Sequence, residues 1–162
     1  EEFIYPILIE LLNYIQSHTK KRVIIASGHR CEVHNMYSDP SVFNSTSKHM
    51  IGAEVDFYVE GAENEPMQII DLIIRYYQKG LKYQGLKEYQ EFSRYKKDDT
   101  NVVTSPWFNK EIFMKLFLEN EGRDFDNRHP YPYVSIQVRY NPKVNARVHF
   151  NWKQAYQGYL KW

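Results

Sequence analysis

The segment Ala53-Glu54-Val55-Asp56-Phe57-Tyr58-Val59 alternates apolar and polar residues with a period of two, and it constrains the fold more than any other stretch of the chain. Side chains alternate between faces along a strand. Val55, Phe57 and Val59 therefore look into a core, while Glu54, Asp56 and Tyr58 share the opposite face. On that second face the two carboxylates stand about 7 Å apart along the chain. Such a strand needs a sheet with one dry side and one side available for chemistry.

The 162 residues are enough for one domain with a substantial core, and we read residues 1–162 as a single domain. Hydrophobic residues at 43% and charged residues at 25% put the chain among folded globular proteins rather than disordered ones. With 21 Lys plus Arg against 20 Asp plus Glu, the net charge of +1 provides no electrostatic footprint for a polyanion, and nucleic acid is excluded as an expected partner. The single cysteine, Cys31, excludes an internal disulfide and any cysteine-based zinc site. With no base near it in the sequence, Cys31 reads as a small structural residue, not a nucleophile. No stretch has the apolar length needed to span a bilayer, and a chain beginning at Glu1 reads as a mature or trimmed form. The aromatic share of 16% suits half-buried surfaces and sugar or peptide grooves, and also follows from an AT-rich genome, so it decides little.

Apolar residues at helical spacing from Phe3 to Ile15 predict an amphipathic helix, and Val23-Ile24-Ile25-Ala26 predicts a short buried strand delivering Gly28-His29-Arg30 to its end. Residues 35–48 are polar and predict a loop. Pro66, the apolar run Met67–Tyr77 and Gly80 predict a second buried helix. Residues 81–106, rich in Tyr, Lys and Asp, read as an insertion or lid with at most a short helix. Their Lys and Tyr run from Lys82 to Lys97 reads as a solvated face. Trp107 to Asn120 has the spacing of a third helix, and Tyr133–Tyr140 and Arg147–Trp152 predict two strands joined by a turn at Asn141-Pro142. On the second of these, Val148, Phe150 and Trp152 face the core, with Arg147, His149 and Asn151 opposite.

The chemistry concentrates in Ser47-Lys48-His49-Met50-Ile51-Gly52-Ala53-Glu54-Val55-Asp56, where a loop histidine precedes a strand aspartate by seven residues and Gly52 lets the backbone turn between them. A catalytic zinc ion takes three N or O protein ligands and keeps an open position. His49 and Asp56 offer two, and His149 on a distant strand offers a third. His18 and His34 lack such company and read as ordinary surface or satisfied residues.

These blocks, in the order Ser27-Gly28-His29-Arg30, then Ser47 to Asp56, then Val148-His149, resemble the family of zinc D-Ala-D-Ala carboxypeptidases and murein endopeptidases. The Hedgehog signalling domain shares the metal-binding core of that family. The resemblance spans about residues 23 to 152, and its middle block is the specific one. It implies that His49, Asp56 and His149 hold Zn2+, that Arg30 binds the substrate's carboxylate or carbonyl oxygen, and that Ser47, grouped with Arg30 on the substrate side, supports the site loop. A neutral imidazole pair and one carboxylate leave zinc electrophilic enough to lower the pKa of a water toward neutrality. A guanidinium meets a carboxylate as a bidentate fork.

The chain departs from the family at three positions. Glu54 stands where relatives carry a small residue, Asn151 where many carry Asp, and Ala146 where the family's general base, a Glu, is found. The base is therefore open. Glu54, on the Asp56 face, is the candidate, and His129 stands behind it.

The expected fold is α+β: a small, largely antiparallel sheet with helices on one face and a zinc cleft on the other. Its expected activity is hydrolysis of amide bonds in peptidoglycan stem or cross-link peptides, in an extracytoplasmic location, as the resemblance implies. The alternative is a catalytically inactive, zinc-stabilised binding domain of the same fold, favoured by Ala146.

Overall fold

A computed structural model describes residues 4–38, 45–96, 101–122 and 129–159. It is an α+β structure built on a six-stranded, wholly antiparallel sheet in the order β1-β2-β6-β5-β4-β3. The strands are β1 (Val23–Ser27), β2 (Glu54–Val59), β3 (Ser93–Arg94), β4 (Trp107–Phe108), β5 (Ile112–Phe117) and β6 (Tyr133–Val138). A separate small hairpin joins β7 (Tyr140–Asn141) to β8 (Ala146–Arg147). The helices are α1 (Pro6–Thr19), α2 (Glu32–Ser38), α3 (Met67–Lys79), α4 (Lys87–Gln90) and α5 (Trp152–Tyr159), with 3₁₀ turns at Lys48–Ile51 and Leu81–Tyr83.

The central register explains the two-sidedness that β2 demanded. Val55 pairs with Ile136 and Phe57 with Val134, and across β6 these same residues meet Met114 and Leu116. Paired residues share a face, so one side of the sheet is a continuous apolar floor. It is covered by Leu8, Leu11 and Ile15 of α1 and Ile70 and Ile73 of α3, all at most 1% exposed. Each such side chain removed from water stabilises the fold by about 1.5–3 kcal/mol.

Helix α1 starts at Pro6, later than the apolar stripe suggested, because proline's fixed φ and missing N–H suit a first helical position. It runs on to Thr19 and closes through the left-handed Lys20, whose N–H donates to the Gln16 carbonyl. Phe3 lies outside the described residues. Helix α3 matches its expected span and reaches Lys79. Gly80 follows it with φ −66°, so its glycine answers close packing, since a Cβ there would come within 2.6 Å of the Tyr76 carbonyl oxygen.

Four expectations are corrected. The helix expected over Trp107–Asn120 is instead β4, a turn and β5. Asn109 makes the turn, its side-chain oxygen accepting the N–H groups of Glu111 and Ile112 at 2.9 and 2.8 Å, and β5 then pairs along its whole length with β6. The strand expected over Arg147–Trp152 stops at Arg147, because Asn151 accepts the Gln154 N–H at 2.8 Å and starts α5. Val148 is buried as expected, but Trp152 is exposed. Part of the expected loop 35–48 is helical in α2, and residues 39–44 lie outside the described set. Within 81–106, Tyr83 and Tyr89 are buried and stacked rather than solvated, and β3 extends the sheet by pairing with β4.

Candidate metal centre

The uncovered face of the sheet carries Glu54 and Asp56 on β2 opposite Gln137 and Ser135 on β6. On the other flank a register shift between Ile25 and Ser27 brings Ser27 opposite Asp56. Without that bulge Ser27 would pair with Val55 and turn to the apolar side; one extra residue re-aims it.

His49 is brought over this floor by a short 3₁₀ turn that the sequence caps at both ends. Ser47 precedes it in extended conformation, and its hydroxyl oxygen accepts the His49 N–H at 3.3 Å. Gly52 ends it at φ +66°, a left-handed geometry that costs a residue with a Cβ about 1–2 kcal/mol. The turn is strapped to the end of β1: the Arg30 N–H donates to the His49 carbonyl at 3.2 Å, and His29 Nε2 lies 3.1 Å from the Met50 carbonyl oxygen.

The orientation of the His49 ring follows from one contact. Its Nδ1 lies 2.8 Å from the Gly28 carbonyl oxygen, an acceptor only, so Nδ1 carries the proton. Nε2 then faces Asp56 Oδ2 at 3.2 Å and Glu54 Oε1 at 3.7 Å. His49 and Asp56 are buried and Glu54 nearly so. A lone pair aimed at two carboxylates requires a cation between them, either a proton on Nε2 or a metal ion. The proton alternative is visible in the electrostatics. Burial disfavours charge on His49, but Glu54 and Asp56 outweigh it and raise its pKa. Burial likewise works against ionised Asp56, yet the His49 ring, Ser135 and Arg30 together hold its pKa below the usual carboxylate value.

The arrangement also fits a metal. His49, Glu54 and Asp56 each offer one ligand atom, all within 4.8 Å of one another, and could hold an ion. Donors about 2.0–2.1 Å from a tetrahedral zinc ion lie about 3.3 Å apart, close to the 3.2 and 3.7 Å found here. The supporting contacts are of the kind metal ligands have: the Gly28 carbonyl orients the imidazole, and Glu54 Oε1 accepts from Gln137 Nε2 at 2.8 Å and Ser135 Oγ at 3.2 Å.

The structure thus brings His49 and Asp56 together and leaves His149 outside their group. His149 is exposed and lines a different cleft, because the chain leaves β8 after Arg147 and turns into α5. Glu54, expected as a base, stands among the residues that could hold an ion. Arg30 is 7% exposed, donates from Nε to Ser27 Oγ at 2.7 Å and places Nη2 3.9 Å from Asp56 Oδ2, so its charge lies against the group. Farther along the same face, Tyr58 and Tyr131 are 4.3 Å apart and His129 stacks on Tyr131 at 5.1 Å. Burial lowers the His129 pKa, with the Asp56 charge opposing, and keeps its imidazole neutral at neutral pH.

Sequence reasoning missed Ser135, Gln137 and Ser27. Period-two alternation in Tyr133–Val138 marks Ser135 and Gln137 as sharing a face, but nothing local reveals that β6 lies beside β2. No family model, curated protein or solved structure matches the chain.

Proposed function

We propose that the protein is a zinc-dependent peptidase cutting amide bonds in peptidoglycan stem or cross-link peptides, acting outside the cytoplasmic membrane. The observation that carries the reading is the His49 ring, locked by the Gly28 carbonyl with Nε2 aimed at two buried carboxylates at metal-ligand spacing. The order of its sequence blocks, which resembles the zinc D-Ala-D-Ala peptidases, supports the substrate class and the location. Among the described residues no helix is long and apolar enough to cross a membrane.

In this reading His49, Asp56 and Glu54 hold the ion, Glu54 taking the place that the resemblance gave to His149. Zinc at such a site polarises a carbonyl and makes water more acidic. The remaining work falls to the chain's own residues. Arg30 supplies positive charge beside the group, which steadies Asp56 and favours a substrate oxygen as it gains negative charge. With Glu54 occupied, the proton acceptor in this reading is His129, which stacks on Tyr131 beside Tyr58 of the same face. Ser47 keeps the His49 turn in place.

One observation favours the alternative of a zinc-stabilised binding domain without catalysis: position 146, where relatives carry the base, is an exposed Ala on β8. Mass analysis of products from defined muropeptides separates the two readings. A peptidase releases a fragment whose mass gives the bond cut, and the release stops in Arg30→Ala although zinc is retained. Zinc-loaded, folded protein that binds muropeptides and releases nothing sinks the peptidase.

A further inference from the structure

Lys48 precedes His49 in the chain but points into a separate cleft of about 450 Å³. Lys110, Arg139, Arg147 and His149 line it with Lys48, and among the described residues no carboxylate does. This is a concentration of charge on a molecule whose net charge is only +1. Among the described residues, Lys110 alone of the four Lys and Arg side chains forms an ion pair, with Glu88.

Neutral groups contact Lys48 and Arg139. Lys48 Nζ donates to the Val138 carbonyl at 2.6 Å, and Arg139 donates to the Asn109 carbonyl while its guanidinium lies 4.7 Å from the centre of the Phe108 ring. Lys110 Nζ sits 4.5 Å from the Tyr140 ring centre. Carbonyls and rings position a cation without neutralising it. The cost shows at Arg139, whose pKa is lowered by burial and then by the neighbouring Arg147. An anionic ligand relieves this strain of like charges.

We propose that this cleft binds the phosphoryl group of a small ligand, with Arg139 and Arg147 as forked donors and Lys48 and Lys110 as point charges. A phosphoryl group is favoured over a carboxylate because its three oxygens point in different directions. The donors likewise come from four separate stretches of chain, including the hydroxyl of Thr46. Phe150, which also lines the cleft and is half-buried, offers apolar surface to the rest of the ligand. The proposal does not depend on peptide hydrolysis.

Calorimetric titration with inorganic phosphate, phenyl phosphate and benzoate, at low ionic strength and on both metal-free and zinc-loaded protein, tests it. Saturable one-to-one phosphate or phenyl phosphate binding is expected in both metal states. Tighter binding of phenyl phosphate assigns the cleft to a phosphorylated organic ligand, and equal binding assigns it to free phosphate. Arg147→Gln and Lys110→Gln should each weaken binding about tenfold, the scale of one charge-assisted contact, while Lys20→Gln, exposed at the end of α1, should change nothing. Arg147 is exposed, so its replacement leaves the core intact. The proposal is overturned if no saturation occurs up to about 10 mM, a limit of only a few kcal/mol. It is equally overturned if Arg147→Gln binds like wild type or if benzoate matches phenyl phosphate. Binding seen only with zinc present places the anion on the metal and also ends it.

Discussion

Lys48 and His49 are consecutive, yet they serve regions of opposite character. His49 turns inward to an acidic, buried group whose members come almost wholly from residues 27–56, seated on β6. Lys48 turns toward a basic cleft assembled from residues 46–48, 110, 139–140 and 147–150. The 3₁₀ turn makes this division, because successive residues on a tight turn point about a third of a revolution apart. The lesson is that consecutive side chains on a tight turn can join different clusters, so neighbours in sequence need not share a site. It also separates the two histidines that the sequence paired: His49 belongs to the acidic group, and His149 to the basic cleft.

The sharpest way to break this comparison is to remove ligands. His49→Ala or Asp56→Ala should abolish stoichiometric zinc by elemental analysis, together with all muropeptide hydrolysis, since two donors cannot hold the ion in a catalytic geometry. Near-normal zinc in both variants means the group is not the metal site. Next in size is the contrast between Glu54→Gln and His149→Ala. The first should weaken zinc at least tenfold and the second should leave zinc content unchanged, as befits an exposed residue of the other cleft. The reverse result restores His149 as a ligand and shows that the two regions join in the zinc-bound protein.

A smaller effect is expected where the turn is made. Gly52→Ala must place a Cβ at φ +66° and should lower stability by about 1–2 kcal/mol in urea denaturation, with weaker zinc binding because His49 shifts. Unchanged stability and unchanged zinc affinity mean that the left-handed closure is not what separates Lys48 from His49.

The smallest effect concerns the support beneath the basic cleft. The Glu111 carbonyl accepts the N–H groups of Arg139 at 2.7 Å and Tyr140 at 3.3 Å, and its carboxyl accepts the Tyr83 hydroxyl at 2.7 Å. Burial raises the Glu111 pKa, against opposing contributions from Tyr83, Lys82 and Tyr77. Because the folded pKa is raised, its contribution to stability is present in full below the unfolded value and declines as pH rises through the folded one. Glu111→Gln lacks this titration. In melts across that window the variant should gain on the wild type as pH rises, and a difference independent of pH means Glu111 titrates as it does in the unfolded chain.

How far the site could be read in advance differs residue by residue. Alternation alone places Glu54 and Asp56 on one face, and the spacing places His49 in a loop that Gly52 lets turn ahead of them, because these relations span a few residues of backbone. The distance from Glu54 to Asp56 is legible along a strand, while the direction of the His49 ring is not; the Gly28 carbonyl sets that direction. His149 was expected on a strand because Val148, Phe150 and Trp152 alternate, a pattern that Asn151 interrupts by starting α5. At Trp107–Asn120, apolar spacing satisfied a helix as well as strands, and six residues of pairing with β6 decided between them.

What the sequence by itself determined is therefore what short-range geometry encodes: an amphipathic α1 and α3, a two-faced β2, and a loop carrying His49 that turns at Gly52 ahead of paired carboxylates. Only the tertiary structure decided that Ser135 and Gln137 support Glu54, that Glu54 lies beside His49 and Asp56 in a group that could hold a metal while His149 lines another cleft, and that four cations from distant segments line one cleft. The physical reason is that backbone periodicity and capping act within a turn or a pleat. Strand partners and ring directions instead depend on contacts between residues far apart in the chain, which no local pattern specifies.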